Sequence, residues 1–148
     1  MMKTKHSERG VYCQRIAPQT QYQGKQGLVY SVGISRETVG AQHLHMQLAW
    51  IPPRSQGKAH KHEHHETAIY ALSGISCVYY GEKLENMIEL PEGHFLYIPE
   101  NVPHLPYNPS DDVAVLVISR TDANEQESVV MLPELDRNVL PERSETRG

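Results

Sequence analysis

The stretch Thr67-Ala68-Ile69-Tyr70-Ala71-Leu72-Ser73-Gly74-Ile75-Ser76-Cys77-Val78-Tyr79 decides the fold class. Thr67, Ile69 and Ala71 interleave with Ala68, Tyr70 and Leu72, and Ile75, Cys77 and Tyr79 resume the alternation across Ser73-Gly74. A period of two sends successive side chains to opposite faces of a half-buried strand, and a small-residue pair at the break reads as a turn. The pattern repeats outward. Leu28, Tyr30, Val32 and Ile34 alternate with Val29, Ser31 and Gly33, and Leu44, Met46, Leu48 and Trp50 alternate with His45, Gln47 and Ala49. Val113 through Ile118 is apolar throughout, as in a strand covered on both faces. Turn signals at Pro52-Pro53, Gly81-Glu82, Pro91-Glu92-Gly93, Pro99-Glu100-Asn101 and Pro109-Ser110-Asp111-Asp112 divide the chain at short intervals. Many short strands, with no long helix between Leu28 and Ser119, predict an all-β antiparallel sandwich or barrel.

The 148 residues suit a single domain. An apolar fraction of 39% with 22% charged residues is ordinary for a soluble globular chain. The net charge of −4, with no run of Lys or Arg, excludes a basic-patch nucleic-acid binder and an anionic-membrane binder. No apolar stretch is long enough to span a bilayer and the first residues lack an apolar leader, so a cytoplasmic location is expected. Cys13 and Cys77 make neither a disulfide framework nor a cysteine zinc site. Residues 1–27 read as an N-terminal arm with room for one edge strand, and 28–119 as the barrel. Residues 120–148 read as a C-terminal segment carrying a strand at Ser128–Leu132, packing on the barrel or a dimer partner, with a frayed tail at 141–148.

Of nine histidines, four fall within His60-Lys61-His62-Glu63-His64-His65. Residues two apart on a strand share a face with backbones ~6.6 Å apart. Two imidazoles there can converge on one cation at ~2.1 Å. Glu66 has the same parity and offers a hard oxygen, and His104, after Pro99-Glu100-Asn101-Val102-Pro103, is the candidate from elsewhere in the fold. The alternative is that His60 and His62 are polar residues on a solvated strand.

This arrangement resembles the cupin superfamily, small jelly-roll barrels also described as double-stranded β-helices. The first cupin motif runs Gly, five residues, His-x-His, three or four residues, Glu, six residues, Gly. Here His60, His62 and Glu66 match, with Arg54 at the opening glycine and one extra residue before Gly74. The second motif runs Gly, five residues, Pro-x-Gly, two residues, His, three residues, Asn. Gly93, Pro99, His104 and Asn108 match at every spacing, with Asn101 at the second glycine, a residue that tolerates positive φ. The resemblance implies one divalent metal (Fe, Mn, Zn, Ni or Cu) on His60, His62, Glu66 and His104 in the barrel. It further implies a metal-dependent enzyme acting on a small oxygenated metabolite by dioxygenase, decarboxylase, isomerase or lyase chemistry, and a homodimer by family habit. The rival is a non-catalytic sensor or carrier that holds a small-molecule ligand.

His64, Tyr70 and Tyr97 are candidate acids or bases, and Met46, Trp50 and Tyr107 are candidates to contact the substrate. Core packing is the competing reading for the aromatic and methionine side chains. His65 has the opposite parity and is expected near the site or at the surface. His43 and His45 lack a third partner at ligand spacing and read as structural, and Cys77 as a small buried residue. His62-Glu63-His64-His65-Glu66 is not the His-Glu-x-x-His of helical metalloproteases, because position 66 is Glu.

Overall fold

Alternating burial along successive strands stacks the chain into two antiparallel sheets, seen in a computed structural model that describes residues 12–125 and 128–142. The start of the N-terminal arm and the end of the charged tail lie outside the described residues. In chain order the elements are β1 (Tyr22–Gln23), β2 (Val29–Ile34), the single-turn helix α1 (Arg36–Val39), β3 (His45–Ile51), β4 (Ser55–Gln56) and β5 (His60–His62). They continue with β6 (Thr67–Ser73), β7 (Ser76–Tyr80), β8 (Asn86–Leu90), β9 (Phe95–Ile98), β10 (His104–Asn108), β11 (Ala114–Arg120) and β12 (Val129–Met131). The first sheet has the order β1-β2-β3-β11-β6-β9 and the second β12-β5-β10-β7-β8, with β4 also on β10. This is the all-β antiparallel sandwich that the alternation predicts, and its strand order is the jelly roll that the cupin resemblance implies. No helix among the described residues is long and apolar enough to cross a membrane.

Leu28, Tyr30, Ala49, Ile51, Ile69, Ala71, Leu90, Ile98, Ala114 and Leu116 interdigitate between the sheets. Fully burying an aliphatic side chain of this size contributes about 1.5–3 kcal/mol, so this layer dominates the fold's stability. The reading of β11 needs correction. Ala114, Leu116 and Arg120 are buried on the inner side, but Val115 and Val117 are only half-buried, because the described chain covers the outer face of the first sheet only in part, with Ile16 and Pro18 beside Val117.

The second sheet is covered from outside by the chain itself. Leu132, Leu135, Val139 and Leu140 pack over Ala59, Cys77, Leu84, Leu105 and Tyr107. The Asp136 carboxylate accepts from the Ala59 amide at 2.7 Å, and the Arg137 guanidinium lies 4.8 Å from the Tyr79 ring centroid.

Three turns carry the departures from the cupin glycine pattern. Arg54 and Asn101 stand where the motifs have glycine and adopt φ of 53° and 66°, the left-handed region that glycine enters at least cost. The extra residue before Gly74 is absorbed by a bulge, since β11 skips Leu72 in pairing Val115 with Ser73 and Leu116 with Ala71. Asn108 sits where the second motif ends. Its amide donates to the carbonyls of Ile51 (2.9 Å) and Asp112 (2.7 Å), locking the β10–β11 turn to the end of β3.

Candidate metal centre

His60 and His62 are two apart on β5 and face the sandwich interior, and β10 sets His104 directly opposite His60. Cross-strand partners bring side chains within contact. The ring centroids lie 4.2 Å (His60–His104), 5.0 Å (His60–His62) and 5.3 Å (His62–His104) apart, and one nitrogen of each ring lies within 4.8 Å of the other two. His60 Nδ1–H donates to the Lys58 carbonyl at 2.7 Å and His104 Nδ1–H to that of Val102 at 2.9 Å. Those bonds fix the tautomer and leave each Nε2 lone pair as a donor toward the cavity. Burial, followed by the neighbouring imidazoles, holds His60 and His62 well below the usual histidine range, and burial does the same for His104. All three are therefore neutral at physiological pH, the form that binds a metal. Buried, neutral, convergent imidazoles fit a divalent ion of the borderline-soft type.

The cavity they border has a volume of about 60 Å³. Its other polar walls include Gln47, Thr67, Ser76 and Arg120, and no carboxylate among the described residues lines it. Asn101 ties the two ligand strands together, because its backbone amide donates to the His62 carbonyl at 2.7 Å. The loop that positions His104 thus hangs on the strand that carries His62.

Glu66 departs from the expected ligand set. β5 ends at His62, the chain bends at Glu63 and His64, and β6 begins at Thr67, so strand parity does not run through the loop. Thr67 enters β6 facing the cavity, which turns Glu66 outward. Its carboxylate is exposed and accepts from the Tyr97 hydroxyl at 2.7 Å. The buried residue of the loop is His65, whose ring lies 4.6 Å from that of His62. The described cluster is three histidines without a carboxylate.

The other candidates are spread over the surface or the outer layers. His64 is exposed. Tyr70 lies on the outer face against Phe95, with ring centroids 4.8 Å apart, and the Tyr97 hydroxyl is engaged by Glu66. Met46 and Trp50 are also on the outer face, because the inward positions of β3 are His45, Gln47, Ala49 and Ile51. Tyr107 is buried beneath the C-terminal segment, stacked on Tyr79 at 5.5 Å. Alternation separates two faces but does not say which is inward, and in β3 the polar set with His45 and Gln47 faces in. Sequence reasoning missed Gln47, Thr67, Ser76 and Arg120 as cavity walls. For Arg120 a signal existed: it ends an apolar run at the parity of Leu116 and Ile118.

His45 and His65 form a second buried pair beside the cavity. Burial is the largest cause lowering each to about 4, followed by the Arg120 charge, while Asp122 acts in the opposite direction. Neither ring nitrogen of His45 has a hydrogen-bond partner among the described residues.

The family model for the cupin domain matches residues 47–119. Among solved structures, the chain is similar to oxalate decarboxylase from Bacillus subtilis, at 16% identity and a TM-score of 0.65, over 76% of this chain and 30% of that one. It is also similar to the oxalate decarboxylase of Lactobacillus farciminis in its formate complex, at 16% identity and a TM-score of 0.63, over 79% and 33%. The chain thus spans about a third of the length of those enzymes, and at this identity the likeness is one of fold. No curated protein matches it in sequence. With the family model over 47–119, the two-sheet jelly roll and the inward His60-x-His62 paired to His104, residues 47–119 form a cupin domain.

Proposed function

We propose that the protein is a metal-dependent cupin enzyme that holds one divalent ion on His60, His62 and His104 and acts on a small oxygenated metabolite. The observation that carries this reading is the convergence of three buried, neutral imidazoles, two with Nδ1 tied to backbone carbonyls, on a cavity of about 60 Å³. A divalent metal bound there supplies Lewis acidity toward a substrate oxygen. The histidines are neutral ligands and no carboxylate among the described residues lines the cavity, so the centre keeps its positive charge and Arg120 adds to it. Anionic oxygen donors such as carboxylates or enolates are favoured. The apolar walls, among them Leu28, Ile51, Ile69 and Leu116, exclude bulk water and strengthen that attraction. Glu66 is outside this assignment.

A second reading, a non-catalytic binder, is supported by one observation: His64, Tyr70 and the Tyr97 hydroxyl all lie off the cavity as acid–base candidates. The exposed apolar outer face of the first sheet, including Met46, Leu72 and Phe95, supports a homodimer. The test is elemental analysis of protein expressed without added metal, followed by aerobic and anaerobic turnover screens against small carboxylic acids and diketones. Wild type carries about one metal per chain, and His60→Ala, His62→Ala and His104→Ala lose most of it. Equal metal content in all four overturns the proposal, and a metal-loaded protein that binds acids without consuming them favours the binder.

A further inference from the structure

Cross-strand register puts Tyr80 on the inner face with His104, and Ile88 on the inner face with Val78. Both are nevertheless open to solvent, Tyr80 at 36% and Ile88 at 40%. The reason lies in the topology. β8 and β9 are the free edges of the two sheets on this side, joined only by the turn at Pro91–His94, so the sandwich gapes between them. The gap has a volume of about 250 Å³ and is lined mainly by apolar surface of Val78, Tyr80, Ile88, Leu96, Tyr97 and Val102, with no Asp, Glu, Lys or Arg among the described residues. His104 is a wall of both this gap and the smaller cavity, as are Val78, Leu96 and Ile98.

We infer that the gap between β8 and β9 is the binding compartment for an apolar group of the substrate, whose anionic oxygens sit on the metal side of His104. This rests on the metal-centre reading above and names its substrate class: a small organic acid or enolate bearing an aliphatic or aromatic tail. Volume supports the division. The inner cavity of about 60 Å³ is about a quarter of the gap's volume of about 250 Å³, so a compact pair of oxygens suits the first and a longer tail the second. Electrostatics supports it as well, since a cationic inner end and an uncharged outer end match an amphiphile in one orientation only. Continuity with the cavity through a shared His104 favours a small molecule over a second copy of the chain, whose strands could cover the gap but not reach the inner end.

The experiment uses the full chain loaded with zinc, which is redox-inert, and calorimetric titration with pyruvate, 2-oxobutanoate, 2-oxopentanoate and 2-oxohexanoate. Affinity rises by about fourfold per added methylene. Ile88→Asp, a change at an exposed position, weakens 2-oxohexanoate tenfold or more and pyruvate far less, which flattens the series. Zinc-loaded wild type that binds pyruvate with no gain along the series overturns this inference and leaves the metal centre standing. Wild type that takes up no zinc overturns both. Sedimentation velocity closes the remaining route: Ile88→Asp that turns a dimer into a monomer while keeping the tail-length gain assigns the gap to an interface and overturns the inference.

Discussion

Acidification should weaken this protein through the buried ring of His45. The ring is fully buried, faces Arg120, Asp122 and His65, and is held at about 4 against 6.5 for a free imidazole. Between those values the unfolded chain binds the proton and the folded chain does not, so stability falls as pH drops. The contribution is present above about pH 6.5 and is gone below about pH 4. Its full size is about 3 kcal/mol, of which about 2 kcal/mol is lost between pH 7 and pH 5. For a domain of this length that corresponds to a fall in Tm of about 4–8 °C from this one residue. The assay is thermal melting in chelator at pH 7, 6 and 5, comparing wild type with His45→Met, which removes the titration and keeps an unbranched apolar side chain in place. His45 gives up no hydrogen bond to the described residues in that change. The variant should lose less of its Tm on acidification, by about the amount stated. Parallel decreases in the two proteins would refute the assignment of His45 as a buried neutral imidazole.

Three further outcomes follow from the site and its turns. Asn101→Gly should be neutral or stabilising by up to ~1 kcal/mol, whereas Asn101→Val at φ 66° should cost about 1–2 kcal/mol and weaken metal binding; equal melts with unchanged metal refute the link through the His62 carbonyl. Glu66→Gln should leave metal content unchanged, because the carboxylate bonds Tyr97 on the surface, and metal loss matching that of His60→Ala would restore Glu66 as a ligand. Gly74→Ala should destabilise by more than 1 kcal/mol in urea titrations, since an added Cβ would meet the Val113 carbonyl oxygen at 2.6 Å on a backbone at φ 78°.

β2, β3, β6 and β7 were legible because each carries a period-two pattern that only the pleat explains, and His60, His62 and His104 were legible because two of them share a short strand and the third follows a Pro-containing turn. Glu66 stands apart from the three histidines for a local reason. Parity carries across residues only while the backbone stays extended, and the bend at Glu63-His64 resets it. Met46 and Trp50 stand on the outer face for a global one, since an apolar face that the described chain covers only in part has the same composition as a core face. Arg54 and Asn101 show the opposite case. Both depart from the glycine of the motif, and both keep its left-handed backbone, one held by the Arg54–Asp111 pair at 2.9 Å and the other by its amide on His62.

The pairing of β5 has a consequence for the order in which the protein is made. The strand bearing His60 and His62 meets β10 at a single residue pair, and its three-residue ladder is with β12, Val129 to His62 and Met131 to His60. Both neighbours emerge from the ribosome after it, β12 last of all the strands. A nascent chain stopped before Val129 therefore carries two ligand histidines on a strand with almost no hydrogen-bonded neighbours, and long-range pairing of this kind is intrinsically slow. On the proposed metal-centre reading, uptake would await the C-terminal strand, so a chain truncated ahead of β12 should keep the pairings of the first sheet and have an unfinished centre.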